Sequence, residues 1–285
     1  MKCVVIGGGH GAAVSAKAAQ IAGFETTAVV SVADNGGSSG RLREAFDIPA
    51  LGDLRKCLGS LATGSSPLKT LMEHRFDRGE FEGHSLGNLL LMAALSHYGD
   101  LTMACEAVGE MLEIAGSVVP ASSEVVDLMG FTDVTTVRGQ VEIAATTNLR
   151  SVATDPIAVS ASLGSLTAIE SSELIVLGPG SFFTSVLAAC VVPGISQSLA
   201  SSIGKIVFVA NTDDSEIENR NLSVARQLEI LADHGVFPDL VMFAEDGSLE
   251  LGDTEVPVLS AVLTDSRQKS HSSELLARAL LQIVT

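Results

Sequence analysis

The sequence is poor in aromatic side chains and in positive charge. It has no Trp and one Tyr among 285 residues, which removes the stacking platforms on which proteins hold single-stranded nucleic acid. Its 17 Lys and Arg residues are outnumbered by 34 Asp and Glu residues, giving a formal charge of −17 at pH 7. Both deficits argue against nucleic acid as a partner, and the charge also argues against an anionic membrane surface.

Paired cysteines and long apolar runs are missing as well. The four cysteines, Cys3, Cys57, Cys105 and Cys190, include no C-x-x-C pair, so the sequence suggests neither a zinc site nor a disulfide framework. We expect them to be small buried side chains in a reducing compartment. No apolar run approaches the roughly 18 residues of a membrane span, and the run after Lys2 is too short for a secretory signal.

The beginning of the chain has the pattern of a nucleotide-binding α/β unit. The apolar run Lys2 to Ile6 predicts a buried strand, GGGHG a turn, and the alanine-rich stretch up to Gly23 a helix. A phosphate group is expected at the amino end of such a helix. This unit predicts an α/β fold with a mostly parallel sheet, and a stretch rich in β-branched residues at about 118–160 predicts a small inserted β segment.

A second glycine-rich loop, Ser31 to Arg43, follows the predicted strand Thr26 to Val32. Glycines allow backbone N–H groups to converge on an anion, serines add donors, and arginine suits phosphate oxygens. A flexible linker is the alternative, but a linker is not expected to sit directly on a strand end and to finish in two arginines. Residues 35–78 carry seven Lys and Arg against five acids in this acidic chain, which also favours an anionic ligand.

Further motifs are expected to converge on the same edge of the sheet. A third strand and glycine turn ends in Ser181, the preferred anion contact there, and no G-x-S-x-G elbow supports Ser181 as a nucleophile. His84 and Asn88 fall in the first turn of a glycine-rich helix, where His84 is either structural or a ligand contact. Asp53 is either a helix cap or a ligand or metal contact.

The predicted ligand-binding or phosphate-binding residues therefore come from six short segments. They are Gly8, Gly9, His10, Gly11, Asp34, Asn35, Gly36, Gly37, Ser38, Ser39, Arg41, Asp53, Arg55, His84, Asn88, Gly178, Gly180, Ser181 and Asn211. No metal site is predicted, except that Asp34 would be the ligand if magnesium is used. The spacing of Gly7, Gly9 and Ala12 also leaves open an NAD(P)-binding protein, although the sequence reveals no acid/base pair for hydride transfer.

Six motifs occur in the order found in one known superfamily. They are GGGHG (7–11), VADNGGSSGRLR (32–43), GDLRKCL (52–58), GHSLGNLLL (83–91), LGPGSFFTSV (177–186) and VAN (209–211). With these motifs the chain resembles the 2-phospho-L-lactate transferase and gluconeogenesis-factor superfamily, and it is most similar to the bacterial gluconeogenesis-factor branch. The similarity extends over nearly the whole chain.

The resemblance implies a three-layer α/β/α Rossmann-like fold over residues 1–285 as one domain, in a cytoplasmic protein. It implies a nucleotide-linked small-molecule ligand such as a uridine-diphosphate sugar, and a role in cell shape or envelope synthesis during growth on gluconeogenic carbon sources. It assigns no cofactor, and it leaves open magnesium together with a nucleoside diphosphate ligand. The sequence specifies neither the base nor the sugar of this ligand. It leaves open whether the protein forms a homodimer.

The transferase branch supplies the alternative function. Its members move phospholactate from a nucleoside diphosphate carrier to the hydroxyl of a deazaflavin with magnesium, which requires alignment of donor and acceptor rather than a protein nucleophile. Asn35 stands where a second aspartate is usual in this loop. One carboxylate fewer weakens the case for metal-assisted transfer.

Overall fold

The buried run Cys3–Ile6 forms the first strand and lies near the centre of a parallel sheet. In this computed structural model, residues 1–64, 67–265 and 270–284 are described. The large sheet contains β1 (Lys2–Gly7), β2 (Glu25–Val30), β3 (Ser117–Pro120), β7 (Leu174–Leu177), β8 (Lys205–Val209), β9 (Leu240–Ala244) and β10 (Val258–Ala261). A smaller sheet contains β4 (Asp127–Phe131), β5 (Thr136–Arg138) and β6 (Ser151–Asp155).

The large sheet has seven strands in the order β10-β9-β8-β7-β1-β2-β3, and every neighbouring pair is parallel. Successive strands extend to one side of β1 as far as β3 and then to the other side from β7 to β10. The strand order therefore reverses between β1 and β7, which is where doubly wound sheets form a crevice at the carboxyl ends of their strands.

Helices cover this sheet and complete the predicted three-layer α/β/α fold. They are α1 (Gly9–Ile21), α2 (Gly37–Phe46), α3 (Gly52–Leu61), α4 (Pro67–Glu73), α5 (Leu86–Tyr98), α6 (Leu101–Met111), α7 (Gln140–Ala144), α8 (Leu163–Glu170), α9 (Ala188–Cys190), α10 (Ile195–Ser201), α11 (Val224–Asp233) and α12 (Ser273–Val284). A π-helical segment, Phe182–Leu187, precedes α9. Because α1 is rich in alanine, it packs closely against α3 and α12.

The inserted β segment is smaller than the sequence suggested. Its three antiparallel strands, β4 to β6, span Asp127 to Asp155, while β3 belongs to the large sheet as its edge strand beside β2. Arg43 joins the small sheet to the loop after β2. Its guanidinium donates to the carbonyls of Ala33 (3.1 Å) and Val126 (2.9 Å) and pairs with Asp127 at 2.7 Å.

All four cysteines are buried and unpaired, as expected. Burial raises the pKa of the Cys3 and Cys190 thiols to about 12, so these thiols are held in the unreactive protonated form. Within the described residues no single helix has the length and apolar composition to cross a membrane. One bent pair, Phe182–Cys190 with Ile195–Ser201, meets the combined length and composition criterion across a 74° bend.

Candidate functional site

Three strand-to-helix loops meet at one edge of the large sheet. β7, β1 and β2 are neighbours, and their pairing aligns Gly7 with Val30 and Ile6 with Leu177 at the strand ends. The loops that follow these strands are GGGHG, the segment Ser31 to Arg43, and Gly178 to Ser181. The three loops therefore lie side by side at the same edge of the sheet, as predicted.

The loops after β1 and β7 are in direct contact. A Cβ added to Gly11 would lie 1.9 Å from the carbonyl oxygen of Pro179, so only glycine fits at this position. Ser15 donates to the carbonyl of Gly178 at 2.6 Å. The side-chain amide of Asn211 donates to the Gly180 carbonyl and accepts from the Gly180 N–H, both at 3.0 Å. Asn211 thus fixes the shape of the third loop from the end of β8.

The loop after β2 leads into the amino end of α2. Asp34 accepts a hydrogen bond from the Gly36 N–H at 2.8 Å, and Gly36 is the N-cap of the helix. The N–H groups of the next three residues, Gly37 to Ser39, have no acceptor within the helix and form its positive end. Gly37 has a φ of 49°, a left-handed conformation that favours glycine. These amides are suitably placed to bind an anion.

A cavity of about 550 Å³ opens at this helix end. Its lining residues are Asp34, Gly36, Gly37, Ser38, Ser39, Arg41, Gly52, Arg55, Lys56, Arg75, Gly83 and Asn88. Four of these residues are cationic and one is anionic, in a chain whose acidic residues are twice as numerous as its basic ones. The cavity is thus a locally positive pocket on an acidic protein.

Buried polar side chains hold the floor of the cavity. The Ser38 hydroxyl lies 3.0 Å from Nδ1 of His84 and accepts from the Asn88 amide at 3.0 Å. Asn88 in turn accepts from Nε of Arg55 at 3.2 Å, and Arg55 forms an ion pair with Glu73. Ser38, His84, Asn88 and Arg55 are all buried. They therefore form a fixed network beneath the amino end of α2.

His84 is held in its neutral form in this network. Burial lowers the pKa of the imidazole, and the positive charges of Arg41 and Arg75 lower it further. A neutral ring accepts at one nitrogen and donates at the other, which suits its contact with the Ser38 hydroxyl. His84 contacts the loop that forms the cavity and is absent from the cavity lining.

Arg41 and Arg75 are the exposed cations of the pocket. The guanidinium of Arg41 donates to the carbonyl of Glu82 at 2.7 Å and has further N–H groups beyond this one bond. Lys56, by contrast, pairs with Asp53 at 2.9 Å, and Asp53 is only 4% exposed. Asp53 lies in the first turn of α3, so it marks the start of this helix as its sequence position suggested, but the N-cap position belongs to Leu51.

Asp34 lines the cavity, and Asp53 is near enough for its charge to act on Asp34. Burial raises the pKa of Asp34 against the opposing effect of the Gly36 hydrogen bond, and the nearby charge of Asp53 raises it further. Among the described residues, no cluster of three or more His, Cys, Asp or Glu side chains has the geometry of a metal site. These two oxygen donors would be the protein's contribution if magnesium binds with a diphosphate.

The loop after β7 and the residues that follow it are already hydrogen-bonded to carboxylates of the chain itself. Ser181 donates to Glu216 at 2.8 Å, and the N–H groups of Phe183 and Thr184 donate to Glu218 at 3.0 and 3.2 Å. The loops containing Gly8 to Gly11 and Gly178 to Ser181 do not line the 550 Å³ cavity. The first of them lies close to Asp53, whose Oδ2 is 2.9 Å from the position of an added Cβ at Gly8, and Asp53 pairs with the cavity residue Lys56.

Asn35 binds the inserted segment. Its side chain accepts from the Val141 N–H at 3.0 Å and donates to Glu142 at 3.2 Å, so it connects the loop after β2 to α7. Lys56, Arg75 and Glu218 are not among the predicted site residues. The positive segment 35–78 contains the first two, and Glu218 belongs to the acidic run 212–219, whose sequence suits either a solvated loop or a magnesium site.

The reversal of strand order and the three adjoining loops define a Rossmann-like α/β protein with a candidate site at the carboxyl edge of its sheet. A model of the family described as 2-phospho-L-lactate transferase CofD matches residues 3–277, so the chain belongs to this family. Among its relatives are proteins named gluconeogenesis factor. One from Halalkalibacterium halodurans is 36% identical over 248 residues, covering 85% of this chain and 77% of that protein. One from Bacillus subtilis is 32% identical over 251 residues, covering 86% and 79% respectively.

Other comparisons agree on family and fold. A relative from Deinococcus radiodurans is 35% identical over 308 residues, which include 99% of this chain and 66% of that protein, so the chain spans about two thirds of its length. A crystal structure of a UPF0052-family protein from Bacillus halodurans superposes with a TM-score of 0.92 at 31% identity, covering 98% of each chain. The predicted family and the predicted α/β fold are thereby confirmed.

Proposed function

We propose that the protein is a cytoplasmic gluconeogenesis factor that binds a nucleotide-linked ligand, such as a uridine-diphosphate sugar, and affects cell shape or envelope synthesis during gluconeogenic growth. The observation that carries this proposal is the cavity at the amino end of α2. Open backbone N–H groups and the exposed guanidinium of Arg41 surround it, and these are the donors that a diphosphate needs. The names of the relatives support the gluconeogenesis-factor part of this proposal.

The direct test is calorimetric titration of the full chain with uridine-diphosphate N-acetylglucosamine. Uridine diphosphate and adenosine diphosphate serve as comparison ligands, because they separate recognition of the sugar and of the base from recognition of the diphosphate. We expect saturable binding that is tightest for the nucleotide sugar. The absence of heat at millimolar ligand would contradict the proposal.

Substitution of Arg41 by alanine tests the cavity at the amino end of α2 as the phosphate-binding site. We expect the binding free energy to weaken by about 2 kcal/mol, because a charge-assisted contact to phosphate is lost while the exposed side chain makes little contribution to folding. Arg278→Ala is the matched control, since it removes an exposed arginine from α12, outside this cavity. Equal affinities of the Arg41 variant and the wild type would remove Arg41 from the site.

Transfer of phospholactate to a deazaflavin is the second candidate function. Asp34 and Asp53 support this transfer, because two carboxylates near the cavity at the amino end of α2 could hold magnesium with a nucleoside diphosphate. In such a transfer the chain would align donor and acceptor and neutralise phosphate charge. Incubation with deazaflavin, donor and magnesium, followed by mass spectrometry of the deazaflavin, distinguishes the two functions. A phospholactyl product would favour the transferase, and intact deazaflavin would favour the binding protein.

A further inference from the structure

The cavity at the amino end of α2 is lined by four cationic side chains, and two of them are paired with carboxylates of the chain itself. Arg55 is buried and forms an ion pair with Glu73, and Lys56 pairs with Asp53 at 2.9 Å. These two cations are therefore engaged before any ligand binds. The positive charge that remains at the cavity comes from the other two cations, which are both arginines.

Arg41 and Arg75 are both exposed, and neither forms an ion pair in the part of the chain that the structure describes. The guanidinium of Arg41 donates to the carbonyl of Glu82 at 2.7 Å, and Nη1 of Arg75 donates to the carbonyl of Gly83 at 2.8 Å. A guanidinium has five N–H donors, so each arginine retains donors for a further acceptor. Both side chains are thus held by a neutral partner and carry an uncompensated charge.

The two guanidiniums contact the same residue, Gly83. A Cβ added to Gly83 would lie 2.8 Å from Nη2 of Arg41, and the Gly83 carbonyl oxygen lies 2.8 Å from Nη1 of Arg75. Because these two positions of one residue are about 3 Å apart, the two nitrogens lie within about 9 Å of each other. Burial, and then the charges of both arginines, lower the pKa of the neighbouring His84. Two like charges are therefore held close together at the cavity.

Two neighbouring positive charges without a carboxylate repel each other, and an anion that contacts both removes this repulsion. Arg41 belongs to α2 itself and follows the open N–H groups of Gly37 to Ser39. A diphosphate carries its charge on two phosphates that share one oxygen, so it can contact both guanidiniums at once. On the basis of the proposed function, we infer that the amides of α2 and Arg41 hold one phosphate of a diphosphate and that Arg75 binds the other.

Arg75 gives the cavity a preference for a diphosphate over a single phosphate. A single phosphate at the amides of α2 uses Arg41 and leaves the charge of Arg75 uncompensated. A diphosphate uses both guanidiniums and gains one further charge-assisted contact. The ligand class that the cavity prefers is therefore a compound with a diphosphate link, rather than a nucleoside monophosphate or a sugar monophosphate.

Calorimetry of the full chain with inorganic pyrophosphate and, separately, with inorganic phosphate tests this assignment without a base or a sugar. We expect the wild type to bind pyrophosphate at least about tenfold more tightly than phosphate, because one more charge-assisted contact forms. Arg75→Gln keeps a donor for the Gly83 carbonyl but removes the charge. This variant is expected to weaken pyrophosphate binding about tenfold and phosphate binding by less than about threefold, because phosphate remains at α2.

Arg78→Gln is the matched control, because it makes the same change of charge at an exposed residue three positions further along, outside the cavity lining. It should bind both anions like the wild type. The role of Arg75 is overturned if pyrophosphate does not bind, if Arg75→Gln binds it as the wild type does, or if either variant weakens both anions equally. Pyrophosphate binding that depends on Arg75, without binding of uridine-diphosphate N-acetylglucosamine, would support Arg75 as a phosphate contact and contradict the nucleotide-sugar ligand.

Discussion

Replacement of Gly11 by alanine is expected to destabilise the fold by about 3 kcal/mol or more, because the added methyl group meets main-chain atoms that cannot rotate away. The new Cβ would lie 1.9 Å from the carbonyl oxygen and 2.5 Å from the carbonyl carbon of Pro179. Relief of that overlap requires α1 to separate from the loop after β7. Urea denaturation followed by circular dichroism measures the effect as a lower free energy of unfolding.

Gly59→Ala is the matched control for this substitution. Gly59 also lies in a helix, α3, but the atom closest to an added Cβ is Oε1 of Glu73 at 3.5 Å, an ordinary contact. Since alanine favours helices more than glycine does, this variant should be as stable as the wild type or slightly more stable. If Gly11→Ala unfolds at the same urea concentration as Gly59→Ala, the close approach of the first and third loops is wrong.

Replacement of Glu218 by glutamine is expected to change how stability depends on pH. Burial raises the pKa of this carboxyl from 4.5 to about 7, and the nearby charge of Glu216 also raises it, against the opposing effect of the Thr184 and Phe183 contacts. The folded state therefore binds the proton more tightly than the unfolded state does. The contribution of the Glu218 carboxyl to the free energy of unfolding is fully present below about pH 4.5 and is lost as the pH rises to about 7.

The expected size of the effect is up to about 3 kcal/mol, the free-energy equivalent of the shift in pKa. Glutamine preserves an acceptor for the Phe183 and Thr184 N–H groups but does not titrate. The free energy of unfolding of Glu218→Gln, relative to the wild type, should thus increase between pH 5 and pH 8. Urea denaturation at both pH values measures this difference.

A comparison with the wild type is necessary because a second buried group acts in the opposite direction. Burial lowers the pKa of His271 to about 4, so its contribution to stability is lost as the pH falls from 6.5. Both proteins contain His271, and its effect cancels in their difference. Glu216→Gln, at a residue that bonds Ser181 rather than the π-helical segment, should show a smaller change between the two pH values. If Glu218→Gln and the wild type have parallel pH profiles, Glu218 is not a buried carboxyl with a raised pKa.

Much of the fold could be predicted from local patterns. The apolar runs at Lys2 to Ile6 and Leu174 to Leu177, each followed by glycines, are found as the neighbouring strands β1 and β7. A strand buried on both faces must be apolar at successive positions, and its following loop needs glycine to turn into a helix. β10 was missed, because Val258–Ala261 lies at the sheet edge, is only partly buried and lacks a continuous buried pattern.

The chemical character of the candidate site was also determined by the sequence. The glycines, serines and Arg41 in the segment Ser31 to Arg43 are consecutive along the chain, so their proximity follows from the chain itself. Whether these residues bind the proposed ligand remains a prediction. The tertiary structure determines which side chains contact these groups, because the contacting residues are distant in sequence.

Three contacts illustrate what only the tertiary structure could decide. Ser38 meets His84 and Asn88, which lie just before and within the first turn of α5, more than forty residues later, and these side chains form the network beneath the amino end of α2. Ser181 bonds Glu216, 35 residues away. Glu218 lies in an acidic run that resembles a solvated loop, yet packing buries it against the π-helical segment and leaves one oxygen without a partner. Residue type along the chain determined the donors and charges, whereas burial and long-range packing determined which of them remain available to a ligand.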